Sequence, residues 1–476
     1  MKTKIIFFIQ LLLTTIALSA QTFVHEQSAS YVWPKEPEVL RQLDKWQDMK
    51  FGMLIHWGLY SQLGIVESWS ICAEEEDWIP RDSTISYDAY KRNYWATINT
   101  FKPERFDPAV WAKTGKQAGM NYVVFTTKHH DGFNMFDTKQ SDFSITQGAF
   151  KGDPRCNAAK EVFNAFRKEG YMIGAYFSKP DWHSQYYWWD RYATPNRNNN
   201  YSISANPWRW NKFKEFTYNQ IEELVNGDYG TIDILWLDGG WVRPARSGDA
   251  ERLGRSYKGP QDIDMHKIAR MVRKYQPSML IVDRTVEGEF ENYQTPERGI
   301  PSTQQATPWE SCITLGNDWG FVPTDKYKSP AQVIHTLVEI TAKGGNLLLG
   351  IGPKPDGTLP NEVTVRLLQI GNWLQTNGEA IYNTRITPVY NEGNTWFTQS
   401  KDGRKMYAIV CLDEGKPLPR KLIWTGNQPV SGSKLICLQT GKPVSWKKTA
   451  NGVEVSLPAF SNKEDLPALA FSFIRE

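Results

Sequence analysis

The chain has 476 residues, of which 40% are hydrophobic and 22% are charged, as expected of a folded protein with more than one domain. Its net charge of +3 gives no electrostatic case for nucleic acid as a partner. The 20 Trp, 21 Tyr and 22 Phe fit two interpretations: a large aromatic core, or a site where flat rings cover the apolar faces of sugars.

The first 20 residues have the pattern of a signal peptide. Lys2 and Lys4 precede an apolar run over residues 5–18, and the small residues Ser19 and Ala20 follow it. This run is short for a membrane-spanning helix, and no later stretch is long and apolar enough to cross a bilayer. We therefore expect an exported protein, periplasmic or secreted, with no membrane span.

Short apolar runs then alternate with helical patterns. The predicted strands are Phe51–Gly58, Asn121–His130, Tyr171–Ser178, Ile232–Trp241, Ser278–Arg284 and Asn346–Pro353. The predicted helices are Pro108–Gly119, Asn157–Gly170, Phe213–Gly230, Asp264–Pro277, Ala331–Gly345 and Glu362–Gly378. This alternation predicts a parallel sheet, and a (β/α)8-like TIM barrel fits its length. No G-x-G-x-x-G follows the first strand, which disfavours a dinucleotide-binding sheet. Segments 64–100 and 287–328 have no clear period and are predicted as long loops.

The pattern changes after about Ile381. Short strands separated by Gly, Pro, Asn and Asp predict a C-terminal antiparallel β-sandwich. The expected division is therefore a signal peptide over 1–20, a catalytic barrel over 21–380 and the sandwich over 381–476. The sandwich carries no cluster of acids, bases or histidines, so we expect its role to be structural, with carbohydrate binding as the alternative.

The five cysteines are scattered and form no C-x-x-C motif. Their odd number and spacing fit neither a disulfide framework nor a zinc site. We expect most of them to be small buried hydrophobic residues. One disulfide is kept as an alternative, because the protein is expected to be exported.

Polar side chains follow five of the predicted strands. Active sites of such barrels lie where the strands end, so these side chains are expected to form one ring. Alone, Asp238 would be interpreted as a helix cap or turn residue. The polar or aromatic residues at these ends are His56, Trp57, His129, His130, Tyr176, Ser178, Asp181, Trp182, Asp238, Trp241 and Arg284.

Glycoside chemistry commonly uses two carboxyl groups, so Asp238 needs a partner. Spacing alone does not choose among the candidate glutamates, which are Glu287, Glu289, Glu291, Glu297 and Glu310. The histidines and Asp238 can also be interpreted as metal ligands. Adjacent histidines on a strand point to opposite faces, so both can bind one metal only beyond the end of the strand. Hydrogen bonding of the histidines to sugar hydroxyls is the favoured interpretation.

The segments "FGMLIHWGLYS", "TTKHHDGF", "GAYFSKPDW", "LWLDGGW" and "AKGGNLLLGIGPKPDG" resemble family 29 glycoside hydrolases, the retaining α-L-fucosidases. The resemblance covers about Phe51 to Tyr382. It implies that Asp238 is the nucleophile and that Glu297 of "FENYQTPE" is the acid/base. The other residues that the resemblance assigns to fucose binding are His56, Glu67, Trp69, His129, His130, Tyr176, Arg284 and Trp319, the last beside the sugar's methyl group.

The resemblance implies a fucosylated oligosaccharide as substrate and neither a cofactor nor a metal. The acid/base loop resembles the branch of the family that prefers α-1,3- or α-1,4-linked fucose. The loop between His56 and Glu67, however, is shorter than in many relatives. Two alternatives stand beside this prediction: a catalytically silent fucose-binding protein, against which the presence of both carboxylates argues, and a barrel glycosidase for another sugar such as a galactosidase.

Overall fold

The fold is described from a computed structural model, which covers residues 28–72, 79, 81–458, 460 and 466–475. The predicted signal peptide lies outside these residues. Within them, no helix has the length and apolar content that crossing a membrane requires.

The centre of the molecule is a curled parallel sheet. Its strands are β1 (Phe51–Ile55), β2 (Tyr122–Lys128), β3 (Met172–Ser178), β4 (Ile234–Asp238), β5 (Leu280–Asp283), β6 (Glu310–Thr314) and β7 (Asn346–Ile351). Their spatial order is β5-β4-β3-β2-β1-β7-β6. Nearly every strand residue is buried, because crossover helices cover the sheet and leave it without a solvated face.

The helices are α1 (Pro37–Met49), α2 (Leu59–Leu63), α3 (Tyr87–Ala96), α4 (Pro108–Gln117), α5 (Ala158–Lys168), α6 (Pro207–Val225), α7 (Asp249–Leu253), α8 (Met265–Tyr275), α9 (Pro330–Ala342) and α10 (Asn361–Asn377). Their starts follow local chemistry. Asp107 caps α4 through the N–H of Ala109, and Ser329 with Gln332 forms a capping box on α9. All six predicted strands and all six predicted helices are confirmed, with ends shifted by a few residues.

The predicted eight-stranded barrel is only partly confirmed, since the described residues contain seven parallel strands. The edge strands β5 and β6 are not paired with each other. Segment 291–298 (residues 291 to 298, hereafter the gap segment) lies between them instead. It is held by isolated bridges that join Val282 to Glu291, Gln294 to Trp309 and Glu297 to Cys312. A short irregular segment therefore occupies the place where an eighth strand was expected.

The prediction that segments 64–100 and 287–328 are long loops was partly wrong. Helix α3 lies in the first and strand β6 in the second, and helix α1 was not predicted. The first half of β6 is Glu310-Ser311, and neither residue is typical of a buried strand. Here tertiary contacts override local preference, because both side chains are buried against the rest of the sheet.

The C-terminal strands are all antiparallel. They are β8 (Thr384–Arg385), β9 (Asn391–Glu392), β10 (Thr395–Ser400), β11 (Met406–Cys411), β12 (Lys421–Trp424), β13 (Leu435–Cys437), β14 (Lys442–Val444), β15 (Trp446–Thr449), β16 (Gly452–Ser456) and β17 (Ala468–Phe473). Seven form one sheet, while β12, β16 and β15 form another. The two sheets share an apolar core in which Trp424 meets Phe471 at 5.9 Å between ring centres.

The larger antiparallel sheet packs on α9 and α10. Trp373 of α10 donates its indole N–H to the carbonyl of Ala468 at 2.8 Å, and His335 of α9 is 2.7 Å from the carbonyl of Pro467. The five cysteines form no disulfide with one another, and four are buried, which confirms the expectation that most are small buried hydrophobic residues.

Candidate active site

A cavity of about 910 Å³ opens at the carboxyl ends of the parallel strands. This is the edge of the sheet where ligands of parallel α/β folds bind. Every residue that the family resemblance assigned to the site lines this one cavity: His56, Glu67, Trp69, His129, His130, Tyr176, Asp238, Arg284, Glu297 and Trp319.

Four of the other strand-end residues lie outside the cavity lining, and Trp241 lies within it. Trp57 is buried and donates to the carbonyl of Lys354 at 3.0 Å. Asp181 forms a buried ion pair with Lys128 at 3.3 Å. Trp182 stacks behind Trp69, with 5.5 Å between ring centres. These residues support the ring without facing the cavity.

Asp238 stands at the last position of β4 and receives three hydrogen bonds. Tyr176 donates its hydroxyl to Oδ2 at 2.6 Å, and Arg284 donates Nη1 to Oδ1 at 2.8 Å. The N–H of Gly239 donates to Oδ1 at 2.8 Å. Gly239 has a φ of 86°, a conformation that favours glycine, and an added Cβ would lie 2.3 Å from Pro180.

These contacts keep Asp238 ionised. Burial alone would raise the pKa of its carboxyl, but the Arg284 guanidinium and the hydrogen bonds from Tyr176 and Gly239 hold that pKa well below its usual range. The carboxylate is therefore negatively charged near neutral pH. A buried carboxylate in this state is suited to attack an electrophilic carbon.

Arg284 joins the two carboxyl groups of the site. Its Nη1 reaches Asp238, and its Nη2 donates to Oε2 of Glu297 at 2.9 Å. Glu297 lies in the gap segment, with 14% of its side chain exposed. Of the five candidate glutamates it is the one that shares this guanidinium with Asp238.

The other candidates lie elsewhere. Glu287 and Glu289 are exposed. Glu291 accepts the backbone N–H of Thr285 at 3.1 Å, and burial raises its pKa to about 7. Glu310 is buried in the sheet beneath the cavity, where burial raises its pKa to about 7 as well.

A tryptophan that sequence reasoning did not assign to the site holds Arg284 in place. The guanidinium lies 4.3 Å from the centre of the Trp236 ring, in a cation–π contact. The same ring stacks with Tyr176 at 5.2 Å and donates its N–H to Glu310 at 3.1 Å. Trp236 thus backs both side chains that hold Asp238. Its position in the middle of β4 gave no signal in the sequence.

The hydrogen bonds of His130 fix its tautomer. Ser178 has one hydroxyl proton, which it donates to the carbonyl of Pro180 at 2.9 Å. Ser178 must therefore accept from Nδ1 of His130, which lies 2.6 Å away. In the neutral ring Nε2 then carries a lone pair, 3.7 Å from Oδ2 of Asp238. A ligand hydroxyl placed here finds two acceptors.

The histidines are neutral in the cavity. Burial lowers the pKa of His56 and His130 well below the ordinary value. Burial also lowers the pKa of His129 to about 4, although Asp238 and Glu297 act in the opposite direction. Neutral rings both donate and accept, which suits recognition of hydroxyl groups.

We expect His129 to stay neutral from pH 8 down to about pH 5 and to gain its proton near pH 4, because its ordinary pKa of about 6.5 is lowered by burial. Nitrogen-15 NMR of the histidine rings during a pH titration measures this directly, with a His129→Gln variant to assign the signal. A titration midpoint near 6.5 for this ring would contradict the assignment of a buried neutral imidazole.

Glu67 and Trp319 close another wall. Oε1 of Glu67 accepts the N–H groups of Trp319 at 2.8 Å and of Gly320 at 2.9 Å. Burial raises the pKa of Glu67 to about 7, although these two hydrogen bonds act to lower it. The Trp319 ring lies 5.3 Å from that of His56 and presents an apolar surface. Such a wall suits a methyl group or the apolar face of a sugar.

Two arginines that the sequence did not single out also line the cavity. Arg197 lies 5.2 Å from the Trp69 ring and 5.3 Å from the Trp241 ring, and Arg298 lies 5.2 Å from the Trp319 ring. Both are in loops where a lone arginine is ordinary surface composition. No local pattern distinguished them.

One group of side chains has the geometry to hold a cation. The ligand atoms of His129, His130 and Asp238 lie within 4.8 Å of one another. Two of these residues already have other partners: Asp238 binds the Arg284 guanidinium, and Nδ1 of His130 is bonded to Ser178. A cation here would have to share Asp238 with Arg284, so the donor set fits a sugar hydroxyl better.

Comparison with known proteins agrees with this geometry. The family model for alpha-L-fucosidase matches residues 18–379. The chain belongs to the alpha-L-fucosidase family. It is accordingly an enzyme, a glycoside hydrolase, and neither the silent binding protein nor a glycosidase for another sugar is favoured.

Individual relatives and solved structures extend along nearly the whole chain. An alpha-L-fucosidase of Dictyostelium discoideum is 27% identical, covering 97% of this chain and 94% of the relative. The plasma alpha-L-fucosidase of Homo sapiens is 27% identical over 88% and 86%. Alpha-L-fucosidase isoenzyme 1 from Paenibacillus thiaminolyticus has a TM-score of 0.72 at 27% identity, covering 92% of this chain and 100% of that one.

Proposed function

We propose that this alpha-L-fucosidase removes terminal fucose by double displacement with retention of configuration. Asp238 is the nucleophile and Glu297 the acid/base. The observation that carries the proposal is the single Arg284 guanidinium that bridges both carboxyl groups at 2.8 and 2.9 Å. Two carboxyls on one guanidinium are compatible with the separation of about 5–5.5 Å that retaining glycosidases use.

In the first step, Asp238 Oδ attacks the anomeric carbon while protonated Glu297 gives its proton to the leaving oxygen. The glycosidic bond breaks, and a fucosyl ester of Asp238 forms. In the second step, Glu297 takes a proton from water, the water oxygen attacks the anomeric carbon, and the ester bond breaks. Arg284 stays positively charged throughout and stabilises whichever carboxylate is ionised.

The remaining side chains are proposed to bind the sugar. His56, His129 and His130 exchange hydrogen bonds with the fucose hydroxyls as neutral rings. Tyr176 donates to Asp238, and Glu67 and Trp69 contact the sugar. Trp319 contacts the methyl group, because its ring is the apolar surface beside His56.

We further propose that the enzyme prefers fucose linked α-1,3 or α-1,4 on branched glycans. This preference is supported by the resemblance of the acid/base loop around Glu297. The test compares fucose release from a Lewis-type α-1,3/1,4-fucosylated oligosaccharide with release from an α-1,2-linked one, using Asp238→Ala as the inactive control.

Release from the first substrate alone would support the linkage proposal. Comparable release from both would overturn the linkage and keep the mechanism. Release from neither, with the wild-type enzyme folded, would overturn the proposed substrate class.

The proposed mechanism uses no metal ion. We expect activity to survive prolonged dialysis against a chelator, because Arg284 supplies the positive charge at Asp238 that a cation would otherwise provide. Activity of the dialysed enzyme is measured with and without added divalent cations. Loss of activity that one specific metal restores would instead make His129, His130 and Asp238 a metal site.

We propose that the protein is exported and acts in the periplasm or outside the cell. The proposal rests on the signal-peptide pattern of residues 1–20. N-terminal sequencing of the protein recovered from cell fractions tests it. Recovery of the intact chain from the cytoplasm alone would contradict it.

A further inference from the structure

The cavity extends beyond the part that the proposed fucose-binding residues occupy. Its volume of about 910 Å³ is near the upper end for small-molecule sites. A single monosaccharide does not fill a cavity of this size. Past Glu297 it is lined by residues 298–301 and by Ser28–Tyr31 near the N-terminus. None of these residues has a part in holding the sugar that is cleaved.

Residues 28–31 are hydrogen-bonded to the gap segment and to Glu287, which precedes it. The Tyr31 hydroxyl donates to the carbonyl of Asn292 at 2.7 Å, and the Gln294 side chain donates to the carbonyl of Ser28 at 3.0 Å. The Ser30 hydroxyl donates to Glu287. These bonds place the N-terminal segment against the wall that carries Glu297, so it forms a defined surface of the cavity.

The surface has the chemistry of a sugar-binding site. Because the Tyr31 hydroxyl is already bonded, the ring offers its apolar surface. The Trp33 ring lies beside it, with 5.2 Å between ring centres and 87° between planes, and Trp33 is 49% exposed. The hydroxyls of Ser28 and Ser30 lie on the same segment. Aromatic rings beside hydroxyl groups match the mixed apolar and polar faces of a sugar.

The chemistry of the reaction indicates which part of the substrate this surface contacts. A general acid gives its proton to the leaving oxygen, so the leaving group lies on the side of the acid. The cavity beyond Glu297 leads to Tyr31 and its neighbours. We propose that residues 28–31, which line this part of the cavity, form a binding site for the glycan from which fucose is removed. This inference rests on the proposed function and makes the N-terminal segment a determinant of leaving-group specificity.

The test compares two substrates in a Tyr31→Ala variant, which removes the ring that lines the cavity: a Lewis-type fucosylated oligosaccharide and a simple aryl α-L-fucoside, whose leaving group is one ring. We expect the ratio of kcat/KM for the oligosaccharide to kcat/KM for the aryl fucoside to fall about tenfold. Tyr192→Ala is the matched control, because Tyr192 is 44% exposed and is not among the residues that line the cavity. Its ratio should equal that of the wild type.

A second variant separates binding from support of the acid. Tyr31→Phe keeps the ring but loses the bond to Asn292, so we expect it to affect both substrates alike. An equal loss on both substrates in Tyr31→Ala would overturn the proposal and assign the segment to support of Glu297. Wild-type kcat/KM on both substrates would also overturn it. Failure of the wild type to release fucose from either substrate is a different result, and it would overturn the proposed function itself.

Discussion

Replacing Asp238 by Ala is expected to lower kcat/KM for a fucosylated oligosaccharide on the order of 10⁴-fold or more. The variant lacks the group that forms the covalent bond and that Arg284, Tyr176 and Gly239 hold in place. Initial rates on both the oligosaccharide and an aryl fucoside give the measurement, with thermal unfolding to show that the variant is folded.

A small anion gives this prediction a second readout. Azide can enter the space left by the Asp238 carboxylate and attack the anomeric carbon from the same face, which yields a β-fucosyl azide from an α-fucoside. Asp249→Ala is the matched control, because it also removes a carboxylate paired with an arginine, 2.7 Å from Arg243. Nearly full activity in Asp238→Ala, or a fucosyl azide of retained configuration, would contradict the role of Asp238.

Replacing Glu297 by Gln is expected to cause a loss that depends on the leaving group. An oligosaccharide leaves as a poor leaving group and needs the proton, so kcat/KM should fall about 10²–10⁴-fold. A dinitrophenyl fucoside leaves without protonation, so its first step should be affected far less. Steady-state rates on the two substrates, with single-turnover measurement of the first step, test this prediction.

Glu289→Gln is the matched control for Glu297. It makes the same chemical change eight residues earlier in the chain, where 54% of the side chain is exposed. We expect it to behave as the wild type. An equal loss on both substrates in Glu297→Gln would mean that this residue supports Arg284 or the fold and does not donate the proton.

The part of the site on the strands could be predicted from the sequence. His56, Tyr176 and Asp238 each lie at or just past the end of a buried apolar run, and parallel strands bring their carboxyl ends to one edge. The assignment of roles came from resemblance, since residue spacing did not choose among five glutamates. The structure now separates them, because Glu297 alone shares Arg284 with Asp238.

The parts that could not be predicted depend on contacts between distant residues. Trp236 backs Arg284 and Tyr176 from the middle of β4, where its pattern is that of any core residue. Strand β6 begins with Glu310-Ser311, whose side chains are buried only because parts of the chain that are distant in sequence cover them. Residues 28–31 are held at the cavity by hydrogen bonds to Asn292 and Gln294, which are 261 and 266 positions away from their partners in sequence.

In the proposed mechanism, the gap segment separates two parts of the enzyme. One part binds the fucose that is released, and the other binds the glycan from which it is released. The residues proposed to hold fucose stand largely on the ends of the continuous strands β1 to β4, so they change only at the expense of the sheet. Glu297 hangs on isolated bridges between β5 and β6, beside residues 298–301. Insertions or exchanges in this stretch can therefore redirect the enzyme to other glycans, in evolution or by directed selection, while fucose remains the sugar released.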